Sequence, residues 1–264
     1  MLDGQEALLV MTGLAGGMLG GLLGLGGGIV LMPVLRFVIG LSAPQAAGTC
    51  ILGVFCTTLA GSLRHHRLGH VHLGSLWPVI VSGAGATVCF SLLFAVLARR
   101  GPWIDAGMGL MFLLVAARML RDGWAAPRQR PEQKMIGGRV GGSIGKKAGI
   151  GLAAGALPGL FGIGTGAILV PAFHWFLRAP IRVATGSSLA CFAINALIST
   201  GFKWSQGYVD LAVATPICVG TLMGSTLGAQ LNRRFPPARI KLAFGILFAF
   251  VAMRFFASTW SLPS

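Results

Sequence analysis

The chain has 264 residues, of which 55% are hydrophobic and only 10% are charged, with a formal net charge of +15. Average soluble domains carry about 25% charged residues, so this composition excludes an ordinary soluble protein and predicts an α-helical membrane protein. The basic residues cluster in the gaps between apolar segments, where membrane topology explains them better than nucleic-acid binding does.

Eight apolar segments follow one another along the chain, and most approach or exceed the ~20 residues that a helix needs to cross a bilayer core. They predict an all-α polytopic membrane protein. The first segment is preceded by no basic region or cleavage site, so we expect no removable signal peptide. The segments lie near residues 7–40, 46–63, 73–98, 103–120, 148–177, 184–201, 209–231 and 238–260.

The first segment contains the glycine-rich stretch GLLGLGGGIVLMPVL at residues 21–35. Its Gly24–Gly28 core resembles part of a dinucleotide fingerprint, but that motif needs an acidic residue about 20 positions later, and none is present. Glycines spaced by four, such as Gly13 and Gly17, would let membrane helices pack closely. Glycine costs about 1 kcal/mol inside a helix and proline about 3 kcal/mol, so the core followed by Pro33 favours a broken helix.

A shift of 138 residues aligns the two halves of the chain without a gap. The first stretch lies over GLFGIGTGAILVPAF at residues 159–173, with seven of fifteen positions identical. The segments therefore form two homologous repeats of four, each opening with a Gly/Pro-broken or re-entrant helix. We assign residues 1–120 to the first membrane repeat, 121–147 to a basic linker and 148–264 to the second membrane repeat.

The positive-inside rule predicts how the two repeats are oriented. If all eight segments cross the membrane and the linker is cytoplasmic, twelve Lys and Arg residues lie inside and nine outside. If the first segment of each repeat is re-entrant, the counts become sixteen inside and five outside. The second arrangement fits the rule better, and it predicts inverted repeats with broken helices near the midplane, as in many secondary transporters.

The two glycine cores are the first candidate site. Lipid cannot satisfy the backbone groups of a broken helix, so each break must face protein or a polar cavity. Exposed N–H groups and the N-terminus of a half-helix attract anions. We therefore predict two arms of one central anion-binding site, formed by Gly24, Gly26, Gly27 and Gly28 and by Gly162, Gly164, Thr165 and Gly166.

Small polar residues follow each glycine core. Their hydroxyls could donate hydrogen bonds to an anion or cap the next helix, and both roles stay open. Asn195 is the only amide deep in an apolar segment, where it could contact the substrate or bond another helix. The candidates of this group are Gly48, Thr49, Ser187, Ser188 and Asn195.

Acid–base chemistry is not predicted, because none of the six acidic residues lies in the middle of an apolar segment. His72 aligns with Asp210, and both lie at segment ends, so each is a candidate for proton coupling. We interpret the loop that holds His65, His66, His70 and His72 as solvated rather than metal-binding. We expect no catalytic residues, no bound metal and no cofactor.

The duplicated order of these motifs resembles the sulfite exporter TauE/SafE family of transporters. The motifs are G-x-G-G-G-x(4)-P and G-x-G-x-G-x(4)-P, the A-x-G-[TS] after each, and an R-x(4)-G-x-[VI] loop. The resemblance implies a secondary transporter of small sulfur-containing anions, such as sulfite, sulfonates or thiosulfate, in the bacterial inner membrane. The second copy departs from the pattern at Thr165 and Phe202, which leaves the two arms unequal.

Two other functions stay open at this stage. One is an anion channel of the same architecture, and the other is a membrane thiol-handling enzyme that uses Cys50, Cys56 or Cys191. The sequence has no P-loop, which argues against intrinsic ATP drive. The expected partners are a small anionic substrate and the lipid bilayer, with no nucleic acid, and exposed glycine faces would also suit a homodimer.

Overall fold

A computed structural model of the chain describes residues 4–71, 73–98, 101–124, 141–164, 166–231 and 237–260. Within these ranges the protein is helical and has no strand, as the composition predicts. Two helices form the first apolar segment of each half, and one α-helix forms each of the others. The α-helices are α1 (Gly4–Leu23), α2 (Gly28–Pro33), α3 (Ala43–Arg67), α4 (Trp77–Leu97), α5 (Gly101–Trp124), α6 (Ile144–Phe161), α7 (Gly166–Trp175), α8 (Ile181–Ser205), α9 (Leu211–Leu231) and α10 (Pro237–Trp260).

Five of the described helices are long and apolar enough to cross a membrane, namely α3, α4, most of α5, α8 and α9. Large apolar side chains such as Val96 and Leu114 are more than half exposed on their surfaces. Contact with lipid accounts for this exposure, because lipid tails are themselves apolar. The chain is therefore a multi-pass membrane protein.

The first apolar segment turns back on itself instead of continuing in one direction. A Cβ added at Gly16 of α1 would lie 3.2 Å from the side chain of Leu31 of α2. One added at Gly20, further along α1, would lie 2.6 Å from the backbone nitrogen of Gly27. The later residue of α1 thus faces the earlier residue on the returning arm, so α1 and α2 form an antiparallel hairpin.

The chain breaks at the glycines and not at the prolines. Pro33 is the last residue of α2 and is followed directly by a π-helical turn (Val34–Val38), whereas Pro171 lies inside α7. Proline removes one backbone donor without ending either returning arm. The proline of the repeated motif therefore lies in the helix that follows the break, in both halves of the chain.

Helices α3 and α8 form the centre of the molecule and run antiparallel. Arg64, near the end of α3, lines the same pocket as Arg182, near the start of α8. On the opposite side, the N–H of Asp210 after α8 donates to Oγ1 of Thr49 near the start of α3, at 3.0 Å. We call the first side the arginine end and the second the lysine end, after Lys203 in the last turn of α8. The inverted arrangement requires antiparallel central helices, and the orientation of the halves in a membrane stays a prediction.

Glycines let α1 lie closely against α9, and α6 against α4. In both interfaces the contact recurs every four residues along each helix, as small-xxx-small packing requires. The pairs are Gly13–Ile217, Gly17–Thr221 and Gly21–Ser225 in the first, and Gly151–Val79, Gly155–Gly83 and Gly159–Thr87 in the second. The packing interpretation of the glycines between residues 13 and 21 is thereby confirmed at these positions.

The 138-residue shift also relates local structure in the two halves. Helices α3 and α8 each contain 25 residues, and their first residues are separated by that shift. The N–H of His70 donates to the carbonyl of His65, and the N–H of Tyr208 donates to the carbonyl of Lys203, both at 3.0 Å. One kind of turn therefore closes both central helices and puts residues 65 and 203 in equivalent positions.

Helical structure extends into both ends of the predicted linker 121–147. Helix α5 continues to Trp124, and α6 begins at Ile144. Lys147 in the first turn of α6 is buried, and its Nζ donates to the carbonyl of Ser75 at 2.9 Å, which holds this turn against the rest of the protein. Residues 125–140 of the linker lie outside the described part of the chain.

Replacing Gly155 by leucine should destabilise the contact between α4 and α6, because a Cβ at this position would meet the backbone of Gly83. Overpacking a tight interface costs about 1–3 kcal/mol, so the thermal unfolding midpoint of the purified protein in detergent should fall. Gly149→Leu on the same helix is the control, since a Cβ there meets no described atom within 4 Å. Equal midpoints for the two variants would contradict the interface.

Candidate functional site

The two predicted arms lie in direct contact. The carbonyl of Gly24 lies against Gly166, and the carbonyl of Leu25 lies against Gly164. A Cβ added at Gly28 would be 3.0 Å from the backbone nitrogen of Gly164. The structure thus brings residues of both glycine cores together, while Thr165 lies outside the described residues.

The loops sit halfway along the two central helices and need glycine there. Gly26 lies beside Phe192 of α8, and Gly28 lies beside Val54 of α3. Gly27 instead faces α1, where a Cβ added at Gly27 would lie 2.6 Å from the carbonyl oxygen of Gly16, and Gly162 faces Ala47. Four loop glycines adopt the left-handed conformation, which other residues rarely adopt. They are Gly24 (φ 72°), Gly26 (φ 77°), Gly27 (φ 75°) and Gly162 (φ 65°).

Contact between the loops limits what the arms can bind in this conformation. Carbonyl oxygens of the first loop face the start of α7, where an anion would otherwise meet free N–H groups. At Gly164 and Gly166 the space between the loops does not admit even a Cβ atom. An anion can therefore bind between the arms only after the loops separate.

Among the polar candidates, Ser188 lies beside a glycine loop. Its Oγ donates to the carbonyl of Thr185 at 2.9 Å and would lie 3.3 Å from a Cβ at Gly24. Ser187 is buried in the same turn of α8, and its Oγ has no hydrogen-bond partner among the described residues. Ser188 is therefore close to the first loop, and both hydroxyls retain hydrogen-bonding capacity for a ligand.

Gly48, Thr49 and Asn195 lie at contacts between elements. Thr49 accepts a hydrogen bond from the backbone of Asp210, and Gly48 faces the loop that follows α8. Asn195 abuts Gly83 of α4, with its Nδ2 2.9 Å from a Cβ added there, and its buried Oδ1 has no partner within the described ranges. Thr49 and Gly48 therefore join α3 to the second half.

Of the two candidates for proton coupling, His72 lies outside the described residues. Oδ1 of Asp210 accepts hydrogen bonds from the N–H groups of Ala212 and Val213, at 3.0 and 3.3 Å, so its carboxylate caps the start of α9. In the part of the chain that the structure describes, no three His, Cys, Asp or Glu side chains are placed to hold a metal ion.

A basic pocket at the arginine end was not foreseen from the sequence. It has a volume of about 210 Å³. Of the described side chains that line it, four are basic and none is acidic, so its potential favours anions. The lining residues are Arg64, His65, Leu68, His70, Arg182, Ala229 and Gln230.

His65 connects this basic pocket to the first glycine loop. Its Nε2 lies 3.5 Å from the carbonyl oxygen of Gly21 in the last turn of α1, and its Nδ1 lies 3.3 Å from Nδ1 of His70. Nε of Arg64 is buried and has no hydrogen-bond partner among the described residues. The pocket therefore combines an unpaired guanidinium donor with a histidine that contacts the last turn of the broken helix.

The prediction of a solvated histidine loop is wrong for His65, which is only 1% exposed. Helix α3 continues to Arg67, and residue 65 falls one turn after Gly61 on its buried face. A signal was present in the sequence, because the 138-residue shift pairs His65 with another basic residue, Lys203, inside an apolar helix.

Comparisons with known proteins cover nearly the whole chain. The family profile described as "Sulfite exporter TauE/SafE" matches residues 9–255. A "Probable membrane transporter protein" from Xylella fastidiosa (strain 9a5c) is 30% identical over 262 residues, which is 97% of each chain. "Probable membrane transporter protein YunE" from Bacillus subtilis is 29% identical over 91% of this chain and 93% of its own. A "Probable membrane transporter protein" from Haemophilus influenzae is 28% identical, over 94% and 97%. No solved structure matches the chain.

Gly26→Ala should destabilise the protein more than Gly40→Ala. Both glycines have left-handed φ angles, 77° and 80°, so alanine costs about 1–2 kcal/mol at either position. Only at Gly26 does the new Cβ also meet a side chain, since Cε1 of Phe192 would be 2.6 Å away, whereas Gly40 has no described atom within 4 Å. The difference between the two thermal unfolding midpoints measures the contact of the loop with α8. Equal losses would mean that Gly26 is needed for its backbone conformation alone.

Proposed function

The chain belongs to the sulfite exporter TauE/SafE family of membrane transporters, and on this premise we propose that it is a secondary transporter of small anions. The substrates that the family suggests are sulfur-containing anions, such as sulfite, sulfonates or thiosulfate. Its location would be the bacterial inner membrane, with the linker 121–147 in the cytoplasm. The partners would be the anion and the lipid bilayer.

The basic pocket is the main structural support for a transporter of small anions. Arg64 and Arg182 come from opposite halves of the chain and line one pocket, in which no described lining residue is acidic. A guanidinium group is weakly hydrated, and its planar fork matches the oxygen atoms of oxyanions. A pocket of this charge, linked by His65 to the end of the broken helix α1, is what a pathway for small anions needs.

The glycine loops would form the inner part of the pathway. An anion bound at Arg64 and Arg182 would pass His65 and reach the end of α1 at Gly21. Separation of the two loops would then free N–H groups at the start of α7 for the anion. Broken helices that meet near the middle of a bundle are typical of transporters that work by alternating access.

The alternatives have less support. A thiol-handling enzyme needs an accessible thiolate, whereas Cys50 and Cys191 are no more than 1% exposed, which leaves Cys56 as the one partly exposed candidate of the three. A channel would need an open path, whereas the two glycine loops touch each other. Saturable uptake with counterflow would support a transporter, and large unsaturable currents would support a channel.

We expect the purified protein in proteoliposomes to take up at least one small anion in a saturable manner. The screen comprises sulfite, sulfoacetate, taurine, thiosulfate and simple carboxylates, each with and without a pH gradient. Liposomes without protein are the control. If no anion is transported and none raises the thermal unfolding midpoint, the proposal fails.

Arg64→Gln and Arg182→Gln should each raise the anion concentration for half-maximal uptake by on the order of tenfold, because a hydrogen bond to a charged ligand is worth about 1.5–3 kcal/mol. Arg67→Gln is the matched control, since Arg67 is the exposed last residue of α3 and does not line the pocket. An equal effect of all three substitutions would indicate a general loss of surface charge and would remove support for the pocket.

Reporter fusions test the orientation in the membrane. Successive residues of α1 contact successive residues of α9, so the two helices are parallel and α1 begins at the lysine end. The positive-inside rule favours a cytoplasmic arginine end, so we expect a periplasmic reporter to be active at both chain termini. Cytoplasmic reporter activity at both termini would contradict the re-entrant arrangement.

A further inference from the structure

Lys203 occupies at the lysine end the position that His65 occupies at the arginine end. Nε2 of His65 lies 3.5 Å from the carbonyl oxygen of Gly21, and Nζ of Lys203 lies 2.7 Å from the carbonyl oxygen of Gly159. The two side chains, and likewise the two carbonyl groups, are related by the 138-residue shift. In each half, a basic side chain thus contacts the same carbonyl group of the broken helix.

The surroundings of Lys203 are closed. The side chain is 0% exposed. Its Nζ donates to the carbonyls of Pro158 (3.0 Å) and Gly159 (2.7 Å) and to Oγ of Ser199 (2.9 Å). The ring of Phe94 covers the ammonium group, with its centroid 4.4 Å away. Among the described residues, no carboxylate forms an ion pair with it.

Further contacts seal the lysine end over this group. Tyr208 packs edge-on against Phe94, with ring centroids 5.6 Å apart. Nε2 of Gln206 donates to the carbonyl of Ser91 at 3.2 Å, which ties the turn after α8 to α4. His65, by contrast, lines the basic pocket. Of the two buried side chains at equivalent positions, His65 therefore borders the basic pocket, whereas Lys203 is covered by Phe94 and Tyr208 at the lysine end.

A buried ammonium group is an unfavourable way to cap a helix. Removing the charge from water carries a large desolvation cost, which the three hydrogen bonds and the partial negative charge at the end of α6 offset in part. Ionisable groups within membrane helices are typical of substrate and ion pathways. The helix-capping role alone therefore does not explain why position 203 carries a charge.

We propose that Lys203 is an anion-binding residue of the transport cycle, which exchanges its contacts with Pro158, Gly159 and Ser199 for the transported anion when the lysine end opens. This inference rests on the proposed function, because it assumes that an anion is carried. Lys203 then supplies at one end the positive charge that Arg64 and Arg182 supply at the other. The anion meets a cation on each side of the glycine loops.

Lys203→Met separates binding from stability. Methionine has a similar volume and no charge, and the loss of the donor to the carbonyls of Pro158 and Gly159 lowers the stability, so a thermal unfolding midpoint above the assay temperature shows that the variant is still folded. Uptake at low anion concentration should fall on the order of 30-fold, as expected when one charged partner of a buried contact is lost. Uptake within about twofold of the parent would overturn the proposal.

Chemical rescue tests whether the charge itself is needed, and it avoids any effect on folding. Lys203→Cys in proteoliposomes should be inactive and should regain uptake after reaction with 2-aminoethyl methanethiosulfonate, which restores an ammonium group at this position. The neutral 2-hydroxyethyl reagent should not restore uptake. The parent protein treated with each reagent corrects for reaction at its own cysteines.

Access to position 203 tests the opening of the lysine end. Ser205→Cys, exposed in the same turn of α8, should react with either reagent at all times, whereas Lys203→Cys should react faster when a transported anion is present. Equal rescue by the neutral reagent, or no reaction at position 203 under any condition, would overturn the proposal. If the parent protein itself transports no anion, the proposed function is wrong. If the parent transports an anion but the variants at position 203 give either of these contrary results, only the role proposed for Lys203 is wrong.

Discussion

In a lipid bilayer, every backbone group freed by a broken helix must find its partner within the protein. This chain breaks one helix in each half, and the two breaks are placed against each other at the level of Val54 and Phe192. The carbonyls of Gly24 and Leu25 face the start of α7. Basic side chains contact the carbonyls of the last turns before the breaks. The contacts of His65 and Lys203 with these carbonyls help to meet that requirement.

The same requirement joins the halves into one unit. Helix α1 of the first half packs on α9 of the second, and α6 of the second half packs on α4 of the first. Their glycine contacts leave no room for side chains between the backbones. Each hairpin is thus anchored on the opposite half, so a movement between halves also moves the two glycine loops relative to each other.

Much of this organisation could be predicted from sequence because it depends on local composition and on repetition. Apolar length predicts the helices, and the repeated Gly24–Gly28 pattern predicts the breaks. The prolines were less informative, since a short helix accommodates Pro33 at its end and α7 accommodates Pro171 in its interior. Family membership was predicted from the order of the motifs, which the comparisons confirm.

The basic pocket was not predicted because its residues are distant in sequence and ordinary in type. Arg64 and Arg182 each look like charges at a helix end, and only the antiparallel packing of α3 and α8 brings them together. His65 was assigned to a loop because a helix boundary cannot be located within one turn from composition alone. Thr49 could have served a ligand or a neighbouring helix, and its hydrogen bond to Asp210 depends on tertiary packing.

The difference between His65 and Lys203 has an energetic consequence. A chain whose halves were identical would have two end states related by symmetry, one open at each end, and their free energies would be equal. A histidine at one of the equivalent positions and a lysine at the other removes that equality, because the two side chains differ in length, charge and hydrogen-bonding capacity. In a transporter with two such end states, this pair would contribute to their difference in free energy, and exchanging the two residues would reverse that contribution.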